Sequence, residues 1–148
     1  NTLVLFNYVE KHGEPLYDLI NSNVKEDRKV FFVHGGTEVV DREEVRLITE
    51  EEDNAVIVAS YGTFSTGINI KRLHNIIFAS PSKSRIRNLQ SIGRVLRKGE
   101  GKSIATLYDI ADDIGGQNYT IKHLNERVNI YNEENFKYEV IKINLKAS

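Results

Sequence analysis

Residues 90–100, QSIGRVLRKGE, carry side chains that can act on a phosphate. At 3.6 residues per turn, Arg87, Gln90, Arg94 and Arg97 fall within an arc of roughly 80°. Ile86, Leu89, Ile92 and Leu96 fall within a separate arc of roughly 120°. The spacing predicts a helix that buries one stripe and projects a glutamine and three arginines from another. Gly99 and Gly101 are stop signals just past it. A guanidinium fork is planar, always charged and bidentate, which suits phosphate oxygens. Two forks one turn apart can grip a terminal phosphate while charge spreads over it during transfer. On spacing alone, arginines on an exposed face most often form a solvated surface. Two other stretches have the right chemistry. His34-Gly35-Gly36 directly follows an apolar run, and glycines there let backbone approach a ligand and offer N–H groups to an anion. Residues 60–70, SYGTFSTGINI, place small hydroxyl side chains and two glycines after another apolar run, where open α/β sheets bind ligands. Each of these, alone, also reads as an ordinary turn or loop.

Together, and in this order, the three stretches resemble the second RecA-like lobe of superfamily-2 helicases over nearly the whole chain. Gln90, Gly93, Arg94 and Arg97 match the Q-x-x-G-R-x-x-R pattern of motif VI. Gly67 and Asn69 match the G-[IV]-[DN] end of motif V. The resemblance implies that Arg94 and Arg97 stabilise the γ-phosphoryl group of ATP in transfer and that Gln90 helps sense it. It implies that Gly67 and Asn69 lie at the nucleotide cleft. His34, Gly35, Gly36, Ser60 and Thr63 would face the nucleic-acid backbone. Two residues depart from the family pattern: Tyr61 stands where threonine is frequent, and Asn69 where an acid is usual. Asn69 could still hydrogen-bond a ribose hydroxyl, without charge.

The elements that must position these residues are legible as buried runs. Strands are expected at 3–6, 29–33, 55–59, 75–79 and 103–110. Helical spacing links Leu16, Leu19 and Ile20, with Pro15 in a first turn. A helix is expected over 41–52, capped by Thr37 or Asp41, with Val45 and Ile48 inward. Another is expected near 118–132, with Ile121, Leu124, Val128 and Tyr131 inward. The last stretch, FKYEVIKINL at 136–145, alternates apolar and charged residues as a half-exposed edge strand would. Strands separated by helical stretches predict an α/β fold, a parallel sheet with helices on both faces. With the resemblance, that is a RecA-like sheet of the P-loop NTPase type.

Composition narrows the class. With 148 residues, 40% of them hydrophobic and 28% charged, one globular domain spanning 1–148 is expected. Net charge is −1, so any nucleic-acid surface must be a local patch. Lys83, Arg85, Arg87, Arg94, Arg97 and Lys98 supply one after the fourth strand. There is no cysteine, and the four histidines lack ligand spacing, so no metal site is expected. No run approaches a membrane span, and TLVLF is too short for a signal peptide. A cytoplasmic protein that meets no membrane is expected.

No G-x-x-x-x-G-K-[ST] loop occurs, and Asp112-Asp113 reads as a helix start or loop rather than a magnesium-holding motif. The chain opens without methionine and reads as a piece of a longer polypeptide. ATP would bind between this lobe and an N-terminal RecA-like lobe, which would supply the lysine loop and hold Mg2+. The resemblance implies DNA as substrate, branched or single-stranded, with RNA left open, and a role in recombination, replication and repair. The fragment alone would not hydrolyse ATP. From another class, the same residues also suit a non-enzymatic α/β module that holds nucleic acid or phosphate on its basic helix. A free-standing nucleotide-binding protein is a further alternative.

Overall fold

The computed structural model describes residues 1–65, 73–79, 105–113, 115 and 119–145. Five short apolar runs form strands: β1 (Thr2–Phe6), β2 (Val30–Val33), β3 (Val56–Ser60), β4 (Asn75–Phe78) and β5 (Thr106–Asp109). They pair in the order β2-β3-β1-β4-β5, and every pairing is parallel. Parallel neighbours need long crossovers. The helices among the described residues are α1 (Glu14–Asn23), α2 (Val39–Glu51), the single turn α3 (Tyr61–Ser65) and α4 (Tyr119–Glu133). β1 leads outward to β2 on one side, and β4 leads to β5 on the other. The order of strands therefore reverses between β1 and β4, and their carboxyl ends flank the crevice where such sheets take ligands.

The period of two along each strand divides the core into two layers. Leu3 and Leu5 of β1 join Ile57, Ala59, Ile76 and Phe78, and α2 and α4 cover this face through Val45, Val128, Ile130 and Tyr131. Val4 and Phe6 join Val56 and Val58, and α1 covers that face through Leu16, Tyr17 and Ile20. Helices on both faces explain why the strands read as unbroken apolar runs instead of alternating ones. Leu19, which shares the spacing of Leu16 and Ile20, is exposed, and Tyr17 packs in its stead.

A π-helical turn, Val9–Gly13, joins β1 to α1. Gly13 lies directly under the sheet: a Cβ there would come within 2.5 Å of the Phe6 ring. Pro15 stands in the first turn of α1, as expected. The amino end of β1 is fixed by the Asn1 carboxamide, which donates to the Thr49 carbonyl (2.8 Å) and accepts from the Ala55 N–H (3.0 Å).

Three expectations are corrected. The residue before α2 is Glu38, with no side-chain cap; the Thr37 hydroxyl instead accepts the His34 N–H at 3.0 Å. Residues 61–65 form a helical turn rather than a loop. Residues 136–145 have no regular structure. Phe136 and Tyr138 pack toward the Tyr131 ring, while Ile141, Ile143 and Leu145 are exposed. The alternation breaks at Val140-Ile141, so one straight strand would turn the two halves of the apolar set to opposite faces.

Candidate functional site

β2 and β3 are adjacent and parallel, with Val33 beside Ala59. Their carboxyl ends therefore place His34, just past β2, beside Ser60, the last residue of β3. This places His34, Gly35, Gly36, Ser60 and Thr63 along one edge. Gly67, Asn69, Gln90, Arg94 and Arg97 lie outside the described residues, as do Lys83, Arg85, Arg87 and Lys98.

The turn after β2 is internally tied. The Thr37 N–H donates to the His34 carbonyl (2.9 Å), and the Gly36 N–H donates to His34 Nδ1 (3.0 Å). With Nδ1 accepting, the neutral ring carries its proton on Nε2. The His34 ring leans on Phe32 at 5.3 Å, and Phe32 stacks on Phe6 at 5.6 Å. Arg42, in the first turns of α2, reaches back to donate from Nε to the Thr37 carbonyl (2.8 Å) and from Nη2 to the Gly35 carbonyl (3.2 Å). The two glycines are unlike. Gly35 is open, with nothing within 4 Å of a Cβ. A Cβ on Gly36 would meet His34 Cε1 at 2.9 Å. The expectation of two N–H groups offered to an anion is thus modified: that of Gly36 is already engaged.

Ser60 and Thr63 are buried, with their hydroxyls 2.7 Å apart, and the Thr63 N–H donates to Ser60 Oγ at 3.3 Å. Ser60 thereby caps α3 through its third residue, the usual bond of a serine at a helix start. Tyr61 turns inward, 1% exposed, with its ring 5.7 Å from that of Phe78. The serine and threonine hydroxyls shape the edge more than they line it.

At the same edge, beyond β4, a charged cluster closes β5 against α4. Arg127 donates to both oxygens of Asp109, from Nε to Oδ2 (2.6 Å) and from Nη2 to Oδ1 (2.8 Å). The Tyr131 hydroxyl donates to Oδ2 at 2.5 Å. Burial, with the Asp109 carboxylate adding to it, holds the Tyr131 phenol well above its ordinary range. Arg127 Nη1 is buried with no hydrogen-bond partner among the described residues. Residues 112 and 113 form a loop, as expected, and Asp113 accepts the Gly115 N–H. Among the described residues no three His, Cys, Asp or Glu side chains group to hold a metal.

Sequence reasoning missed Arg42 and the Asp109–Arg127–Tyr131 cluster. A cation in the first turns of a helix opposes the helix dipole, and for Arg42 that was a readable sign of a tie elsewhere. Arg127 lies about 40° from Tyr131 on a helical projection, at the margin of the apolar stripe. Its partner, on a distant strand, left no trace in local spacing.

The helicase conserved C-terminal domain family matches residues 1–99. The chain is 39% identical over 158 aligned positions to the ATP-dependent DNA helicase uvsW of Enterobacteria phage T4, an alignment covering 98% of this chain and 31% of that protein. It therefore spans under a third of that relative's length.

Proposed function

The chain belongs to the helicase conserved C-terminal domain family, and from that premise we propose that it is the second RecA-like motor lobe of a longer, superfamily-2 DNA helicase driven by ATP. Residues 1–148 form one domain of that polypeptide. ATP and Mg2+ are held chiefly by the preceding RecA-like lobe, and Gly67, Asn69 and Gln90 complete the nucleotide cleft from this side. Arg94 and Arg97 place their guanidinium forks on the γ-phosphoryl oxygens, where charge develops in transit. His34, Gly35, Gly36, Ser60 and Thr63 form or support the face that follows a nucleic-acid backbone. Opening and closing of the cleft between lobes then moves that strand. The substrate is DNA, branched in keeping with recombination, replication and repair, and the work is done in the cytoplasm.

The observation that carries this reading is the family match, which takes in Gln90, Arg94 and Arg97. The name of the phage relative, an ATP-dependent DNA helicase, supports ATP and DNA as its ligands. The parallel sheet, with His34 and Ser60 side by side at its carboxyl edge, supports a shared backbone contact.

The test is DNA-stimulated ATPase of the full-length protein carrying Arg94→Ala or Arg97→Ala. Each loss should lower kcat more than it raises KM, by a factor of about 10³ for a full arginine finger. Arg→Lys should not rescue either site, because an ammonium cannot reproduce a bidentate fork. If Arg94→Ala hydrolyses ATP normally but loses DNA, Arg94 is a DNA-contact residue and the non-enzymatic binding module gains. If it unfolds, Arg94 is structural.

A further inference from the structure

At the carboxyl end of β1, beside the reversal of strand order, stands an exposed aromatic ring that the proposed function does not use. Tyr8 is 62% exposed, although β1 before it is almost wholly buried. It precedes the π-helical turn, and its carbonyl accepts two N–H groups at once, from His12 (3.0 Å) and Gly13 (2.9 Å). Single π-helical turns are rare and are found frequently at functional sites. Here the turn brings His12 under the tyrosine. The two rings meet edge to face at 5.4 Å and 65°, and most of Tyr8 stays open. Gly13 keeps the turn pressed on Phe6, where no larger residue fits. Phe6 in turn stacks on Phe32, which supports His34. The turn that follows Tyr8 and the turn after β2 therefore share one aromatic base.

β1 and β2 are separated only by β3, so their ends lie roughly 10 Å apart at the usual strand spacing. One nucleic-acid strand can touch both. A strand held by its phosphates at His34-Gly35 turns its bases elsewhere, and an exposed phenol ring is a platform for one of them. Every base has a π-face, so such a contact accepts any sequence.

We propose that Tyr8, braced by His12, is a stacking platform for an unpaired nucleobase of the single strand that this lobe grips. The proposal rests on the nucleic-acid reading of the β2 and β3 edge and adds a base contact to its phosphate contacts.

The experiment measures binding of the full-length protein to a labelled single-stranded oligothymidylate and to its abasic counterpart, at several salt concentrations. Tyr8→Ala should bind the oligothymidylate about tenfold more weakly. The slope of log affinity against log salt should not change, because no phosphate contact is lost. Tyr8→Phe should match the wild type. The abasic strand should bind the wild type more weakly, and Tyr8→Ala should lose nothing further on it, the non-additivity expected of two groups in contact. Tyr108→Ala, which removes an exposed ring from β5, should change nothing. Equal binding of both strands by the wild type overturns the proposal whatever the variants do. So does a Tyr8→Ala loss of the same size on the abasic strand. Steep salt dependence without any Tyr8 effect overturns the platform and leaves the phosphate-gripping edge in place. Failure of the wild type to bind either strand overturns both.

Discussion

The pair Gly35 and Gly36 differ because of one histidine. Gly36 must lack a side chain so that its N–H can reach His34 Nδ1, and a Cβ there would crowd the imidazole. Gly36→Ala should therefore break that bond, at a cost of about 1 kcal/mol, and loosen a turn that Arg42 ties at two carbonyls. Gly35→Ala meets open space and should stay within about 0.5 kcal/mol of wild type. Melting temperature and DNA affinity, measured together on both variants, check the difference. Equal effects would mean that the His34 bond is unimportant. The sequence made His34, Gly35 and Gly36 visible, because two glycines directly after VFFV stand out against a buried strand. It did not show that the two glycines do different work, since that depends on a ring orientation. Nor did it show that Ser60 and Thr63 hydrogen-bond each other; their types suited a ligand equally well.

Strands were the most legible elements, because β1 to β4 lie between two helical layers and so read as continuous apolar runs. Helices were legible by stripe, and less so at their ends: Thr37 looked like a cap for α2 and is used by the turn before it. The exposed side of α2 carries Arg46 between Glu43 and Glu50, at i−3 and i+4. The hydrogen bond from Arg46 is the first cause that holds the Glu43 carboxyl below its ordinary value. A carboxyl depressed in the folded state adds stability above its unfolded pKa and loses it as pH falls through the folded one. Glu43→Gln should therefore melt slightly earlier than wild type at neutral pH, and the gap should close below about pH 4. The effect should shrink in salt, as for any exposed pair. The tie between β5 and α4 was not legible, because Asp109 and Arg127 are joined only by tertiary packing, and it is the stronger one. Arg127 is buried, its side chain 3% exposed, and the Asp109 side chain is nearly so at 10%. Removing one partner strands a buried charge, so Asp109→Ala should cost about 3–5 kcal/mol. Replacing both with apolar residues of similar volume should cost much less, and a urea series on the single and double variants measures it. Equal losses would mean that packing, not charge, is what the pair contributes.

For the molecule as a whole, the sheet supplies a buried core, with Leu3, Leu5, Phe6, Val33, Ile57, Val58 and Ile76 wholly buried. The chain nonetheless spans only 31% of the relative it matches. The fold and the chemistry therefore separate: a buried core lies among the described residues, while the proposed reaction needs groups from a second lobe. The isolated chain should fold, with a cooperative melting transition, and should turn over no ATP, because it has no phosphate-loop lysine to pair with Arg94 and Arg97. It should still hold single-stranded DNA weakly and without sequence preference. Log affinity should fall linearly with log salt, with a slope near −0.7 for each phosphate neutralised. Adding the preceding lobe in trans, or restoring the full-length chain, should bring back DNA-stimulated hydrolysis, and Arg94→Ala in this chain should abolish the recovery. Steady ATP turnover by the purified 148-residue chain, lost on Arg94→Ala so that a contaminant is ruled out, would contradict the single-lobe reading. Tight, salt-insensitive or base-specific binding by it would contradict an edge that follows the backbone. The two failures would point to different parts of the molecule, the first to Arg94 and Arg97 and the second to the ends of β2 and β3.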